Sequence, residues 1–307
     1  MKILSIDGGG IRGIYPAHIL QRIQAKYGIN FSEYFDLIVG TSTGSIIAAA
    51  LATDYPISNV VDLYEKKGKK IFSRNLLGWG GFLASRYTNK HLKEELNLAF
   101  GDKTLSETDT QLIIPTTDIG NGCVHVIKSN YDQAFVRDPN RKIADAVLAS
   151  CSAPTYFKPH RTDGYLLADG GLWANNPSLV ALIEAITRLN VNKEDITLLS
   201  LGTGIGEQFY PQKNYKWFPT NWSWGFATRW MGSKLIDSIM NLQVKSNENV
   251  LGLILNSQNY LRINFSSHKP LSLSDVKSID DLKSKADDDF TKHAPSICKI
   301  LGIGGQP

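Results

Sequence analysis

Phe35-Asp36-Leu37-Ile38-Val39, then Gly40-Thr41-Ser42-Thr43-Gly44, then Ser45-Ile46-Ile47-Ala48-Ala49-Ala50-Leu51-Ala52: architecture and chemistry both turn on this stretch. The first run is short and β-rich, and the last is Ala-rich and helical. Between them sits a serine with glycine two residues before it and two after it. A serine so placed on a strand-to-helix turn reads as a nucleophile elbow. The turn is too tight for side chains at the flanking positions, so glycines are needed there. The hydroxyl of Ser42 would then stand at a helix N-terminus, whose free amides favour developing negative charge. The competing reading is a Gly-rich turn with a capping Ser or Thr, and the pentapeptide alone leaves both open.

The next signals lie on either side. Lys2 is followed by a buried-strand run, Ile3-Leu4-Ser5-Ile6, and then by the loop Asp7-Gly8-Gly9-Gly10-Ile11-Arg12-Gly13. Pro16 suits the first turn of a helix to about Tyr27, which Gly28 stops. Further helices are expected over Ser58–Lys67, Asn89–Phe100, Ile143–Ser150, Pro177–Leu189, Lys234–Leu255 and Asp280–Leu301. Strands are expected over Gln111–Ile119 and Cys123–Ser129 (a hairpin through Gly120-Asn121-Gly122), and at Tyr165–Ala168, Ile196–Leu201 and Tyr260–Phe265. Strands alternating with helices make an α/β fold with a mostly parallel sheet. In such a sheet the C-terminal strand ends gather on one edge, where ligands bind. The glycine loop, the elbow and Asp169-Gly170-Gly171 each follow a predicted strand and are expected there.

The glycine loop has two readings. Gly8, Gly10 and Gly13 satisfy a dinucleotide-binding spacing, but Glu33 and Asp36 stand at the start of the second strand rather than at its end, where ribose would be held. In the other reading, consecutive glycines point backbone amides into a cavity and bind an oxyanion, with Arg12 either strengthening the field or pairing with a nearby carboxylate or phosphate. A serine hydroxyl needs a base, and Asp169, set between a strand and two glycines, is the best candidate. His268 and His293 follow Asp169 in the order of a Ser–Asp–His triad, but no motif surrounds either.

With 307 residues the chain can bury a core unaided; 42% apolar and 20% charged residues describe an ordinary globular protein. We expect one domain over 1–307, with a motif-bearing core at about 3–205 and a C-terminal extension of the same domain at about 206–307. A net charge of +4 permits contact with anionic lipid or nucleotide without requiring it. The three cysteines form no disulfide framework and the six histidines no metal-ligand spacing, so no metal or cofactor is expected. No signal peptide or membrane span is read, and the scattered cysteines suit a reducing cytosol, so a cytoplasmic location is expected. Four of the six tryptophans lie in 209–230, read either as a membrane-facing rim or as loop packing. Residues 71–88, rich in glycine and aromatic residues, read as a long loop or cover. Lys66, Lys67, Lys69 and Lys70 read as a solvated helix end or as part of a nucleotide site.

DGGGIRG at 7–13, GTSTG at 40–44 and DGG at 169–171 together closely resemble the patatin-like phospholipase family, as does Ala149-Ser150-Cys151-Ser152-Ala153-Pro154 with Tyr156-Phe157. The resemblance covers roughly residues 3–205. It implies a three-layer α/β/α sandwich and a serine acyl hydrolase that cleaves fatty-acyl esters of membrane phospholipids. By the same match Ser42 would be the nucleophile, Asp169 the general base in a dyad without histidine, and Gly8, Gly9 and Gly10 the oxyanion hole, with Arg12 nearby. Ser45 stands where many members have a further glycine. Small bacterial members include immune effectors that cyclic nucleotides switch on, so the resemblance adds a cyclic dinucleotide as activator. Such an enzyme would act peripherally at the inner face of the membrane, with no DNA or RNA partner. A constitutive lipid acyl hydrolase is the main alternative, a dinucleotide-binding oxidoreductase the outsider. Head-group and sn-position preference, ligand gating and homo-oligomeric state are left open.

Overall fold

The computed structural model describes residues 1–73, 84–206, 233–269 and 271–303. The aromatic segment 209–230 and positions 74–83 of the expected loop lie outside the described residues. An eight-stranded sheet contains β1 (Lys2–Ile6), β2 (Leu37–Gly40), β3 (Gln111–Asp118), β4 (Cys123–Lys128), β5 (His160–Thr162), β6 (Tyr165–Asp169), β7 (Thr197–Leu201) and, after the two-residue β8 (Ile205–Gly206), β9 (Tyr260–Ile263). β8 pairs separately with β10 (Ser266–Ser267).

The strands β9, β7, β1, β2 and β3 are parallel neighbours in that order. Their side chains alternate between two cores, as the pleat requires. Leu4, Ile6, Ile38, Leu112, Ile114, Leu199 and Ile263 point into one core. Ile3, Leu37, Val39, Ile113 and Leu198 point into the other. Both faces of the sheet are therefore covered.

The helices are α1 (Ile14–Tyr27), α2 (Phe31–Tyr34), α3 (Thr43–Ala52), α4 (Ile57–Asp62), α5 (Gly68–Ile71), α6 (Lys90–Phe100), α7 (Ile143–Ser150), α8 (Gly171–Ala174), α9 (Ser178–Thr187), α10 (Ser233–Ile254) and α11 (Ile279–Leu301). Apolar residues of α1, α3, α4, α6, α7 and α11 fill the first core. Ala181, Leu182 and Ala185 of α9 and Leu251 of α10 fill the second. The outcome is a three-layer α/β/α sandwich. No helix among the described residues is long and apolar enough to cross a membrane.

Two departures from the sequence reading bear on function. The helix expected over Ser58–Lys67 ends as α4 at Asp62 and passes through a π-helical turn at Leu63–Lys67 before α5. Its basic end is largely neutralised: Lys66 pairs with Asp62 at 2.7 Å, Lys67 with Glu95 at 3.3 Å and Lys70 with Glu94 at 3.6 Å. The strand bearing Asp169 is antiparallel, not part of the parallel set. β3 pairs with β2 through Gln111–Ile113 and overruns it, and Thr116–Asp118 then pair with β6. Because β4 takes the other edge of β3 over Ile113–Asp118, β6 occupies the place beyond the end of β2. It runs back toward that end and stops at Asp169, opposite Thr116.

Candidate active site

Ser42 follows β2 by two residues and caps α3. Its backbone is at φ 53° and ψ −126°, a conformation that costs a non-glycine residue of order 1–3 kcal/mol and that neighbours must hold in place. The flanking glycines explain how the turn closes. A Cβ on Gly40 would lie 2.1 Å from the Gly44 carbonyl oxygen, and one on Gly44 would lie 2.3 Å from that of Ile6. Ser150, the last residue of α7, accepts from the Ser42 N–H at 2.9 Å and donates to the Pro115 carbonyl at 2.7 Å. Ser45 donates its hydroxyl to the Ser42 carbonyl at 2.6 Å. That contact gives the small departure at Ser45 a structural use.

Asp169 is 1% exposed and shares with Ser42 a cavity that is also lined by Gly10, Ile46, Cys151 and Met240. Its Oδ1 accepts from the Gly171 N–H at 2.6 Å, while its buried Oδ2 accepts no hydrogen bond. Burial pushes the carboxyl up from 3.8 to about 7, against smaller pulls from the Ser42 hydroxyl and the Gly171 amide. The Ser42 hydroxyl opens on the same cavity, and no hydrogen bond joins it to Oδ2. Among the described residues, no histidine lines the cavity. His293 lies on α11 and His268 just after β10, and neither is among the residues that line it. Burial raises the pKa of the Cys151 thiol and keeps it protonated.

The glycine loop presses directly on Ser42: a Cβ on Gly8 would be 3.1 Å from that of Ser42. Its three amides differ in availability. Gly8 N–H donates to the Asn175 carbonyl at 3.0 Å, whereas the Gly9 and Gly10 amides have no acceptor among the described residues. The Thr43 N–H, first in α3, is equally unpaired, as expected of an orphan helix-terminal amide. Gly10 adopts φ +59°, and a Cβ there would meet the Leu273 carbonyl oxygen at 2.2 Å. The loop is anchored by its carbonyls. Arg12, 6% exposed, donates to the Gly9 carbonyl at 3.1 Å and to that of Gly204 at 3.0 Å. The Gly8 carbonyl accepts from Thr203 Oγ1 at 2.7 Å and from Asn175 Nδ2 at 3.3 Å. Arg12 therefore holds the loop's shape rather than bonding a carboxylate.

Several supporting residues carry no motif. Arg262 of β9 grips the Asp7 carboxylate with both terminal nitrogens, at 2.9 and 2.5 Å, and reaches Glu248 at 2.7 Å and Ser200 at 2.8 Å. Burial pushes Asp7 up to about 6 despite that guanidinium; burial pulls Arg262 down, and the Asp7 and Glu248 carboxylates outweigh it and raise its pKa. Ser150 could have been suspected from its place in the segment before Asp169. Nothing in the sequence marks Arg262. Asp36, set aside as a ribose ligand because it stands at the start of the strand, accepts from the Lys2 N–H at 2.6 Å at the far end of β2 from the glycine loop.

A family model described as patatin-like phospholipase matches residues 4–182. A "cGAMP-activated phospholipase" from Pseudomonas aeruginosa is 32% identical over 286 residues, covering 91% of this chain and 82% of that one. A "cUMP-AMP-activated phospholipase" from Escherichia coli is 28% identical and covers 90% and 84%. "Patatin-like protein 2" from Arabidopsis thaliana is 30% identical and covers 72% and 65%. Among solved structures, VipD from Legionella pneumophila aligns over 95% of this chain and 67% of its own, with a TM-score of 0.48 and 14% identity.

Proposed function

The chain belongs to the patatin-like phospholipase family, and on that basis we propose that it cleaves fatty-acyl esters of membrane phospholipids with Ser42 and Asp169 as a dyad. The observation that carries the reading is the Asp169 carboxylate: buried, bonded at one oxygen only, with a pKa near 7, in the cavity of a strained serine. A base poised near neutral pH is matched to taking a hydroxyl proton. Asp169 takes the proton of Ser42 as Oγ attacks the ester carbonyl. The oxyanion then develops against unpaired amides, for which Gly9, Gly10 and Thr43 are the candidates. The protonated Asp169 returns its proton to the departing alcohol. Water deprotonated by Asp169 releases the fatty acid from Ser42 and regenerates the hydroxyl.

The bacterial relatives, described as activated by cGAMP and by cUMP-AMP, support a cyclic-dinucleotide activator, and the chain would meet lipid peripherally. A constitutive acyl hydrolase is the second reading, and the plant relative is 30% identical to this chain. One experiment separates these readings: fatty-acid release from phospholipid vesicles by the unaltered chain, Ser42→Ala and Asp169→Asn, each with and without a panel of cyclic dinucleotides. We expect release only from the unaltered chain and only with one of the nucleotides. Full activity in either variant sinks the dyad, and equal release without nucleotide selects the constitutive reading.

A further inference from the structure

The cavity beside Ser42 has about 40 Å³ of free space, room for a few waters and for no acyl chain. A second cavity of about 250 Å³ lies behind it, bounded by α3, α4 and α6. Its apolar walls include Ala50, Val60, Leu63, Leu96 and Phe100. Ile46 is common to both: it lines the small cavity on one side and the large one on the other. Ile46 and Ala50 are four residues apart, so they follow one another along one face of α3, about 6 Å apart, and Ser42 caps the N-terminus of the same helix.

The charges at the rim of the large cavity are already matched, Lys66 with Asp62 and Lys67 with Glu95. A hydrocarbon chain could therefore enter without stripping water from an unpaired charge. An anionic ligand would find those two lysines engaged.

We propose that the groove between α3, α4 and α6 receives the fatty-acyl chain of the ester cleaved at Ser42, and that the Ile46 side chain turns aside to join the two spaces. The assignment rests on the acyl-hydrolase reading, because the chain enters from the attacked carbonyl. Each methylene taken into the groove should raise kcat/KM about fourfold.

Ala99 lines the groove from α6, is half-buried, and does not line the cavity at Ser42. Hydrolysis of p-nitrophenyl butyrate and palmitate is compared for the unaltered chain, Ala99→Trp and Ile46→Ala, with and without cyclic dinucleotides. Ala99→Trp should lower the palmitate-to-butyrate ratio at least tenfold, and Ile46→Ala should raise it. Ratios unchanged in both variants overturn the inference.

A binding experiment on Ser42→Ala works without turnover: palmitate carrying a diazirine at its terminal carbon is photolysed with the protein and the adducts are mapped by mass spectrometry. Adducts on Leu63, Leu96 or Phe100 support the groove; adducts confined elsewhere overturn it, whatever the folding of the groove variants. If the unaltered chain cleaves neither ester under any condition, the hydrolase reading fails, while the labelling still judges the groove.

Discussion

Asp169→Asn should stabilise the fold while abolishing hydrolysis, and the size of the gain should depend on pH. Asn can keep the bond from the Gly171 N–H through Oδ1, and it places an amide donor where Oδ2 of Asp169 accepts nothing. What it removes is a buried charge. The folded-state pKa of Asp169 is raised from 3.8 to about 7, so the folded state binds its proton more tightly than the unfolded state. Asp169 therefore costs no stability below about pH 4, and stability is lost as pH rises from there through 7. Each pH step of one between those two values removes about 1.4 kcal/mol, so the ceiling on the loss is about 4 kcal/mol above pH 7. At pH 5 the loss is about 2 kcal/mol. Asp7 and Asp237, each raised to about 6, also tilt the curve but do so equally in both proteins. Urea denaturation of the two proteins at pH 5 and 8.5 isolates the Asp169 contribution as the change in the gap between them. We expect Asp169→Asn to gain about 2–3 kcal/mol between those pH values. A gap independent of pH would refute the claim that Asp169 is a buried carboxylate forced to ionise.

Three further outcomes rest on the same geometry. For the unaltered chain, kcat/KM should rise with pH to a plateau, half-maximal near 7, because the base works when deprotonated; a flat profile from pH 5 to 9 would remove Asp169 from that role. Ser150→Ala strands the Ser42 N–H and the Pro115 carbonyl, and should cost about 1–3 kcal/mol in urea while lowering kcat more than it raises KM. Arg262→Met leaves the Asp7 carboxylate buried without a partner and should cost about 3–5 kcal/mol. Adding Asp7→Asn should restore most of that loss, and a double variant no more stable than the single one would show that the ion pair is not the cause.

The local devices are written in the residues themselves. Gly40 and Gly44 are dictated by carbonyl oxygens that leave no room for a Cβ, so the tight turn was legible from five residues, while its reading as a nucleophile elbow needed the motifs on either side. The strands and their covering helices were legible because their apolar periods answer to two cores, one on each face of the sheet. The antiparallel return of β6 was not legible, because a strand's direction depends on which neighbour it pairs with rather than on its own residues. A parallel strand end would also bring Asp169 near Ser42; the fold brings it there instead because β3 overruns β2. Tertiary pairing also decided which glycine amides stay available, since Gly8 gives its N–H to Asn175. It recruited Arg262, 255 residues from the Asp7 it holds. Finally, only the fold set the acidity of Asp169. A carboxylate has an ordinary pKa in any sequence, and the layers packed over it raise that value to about 7.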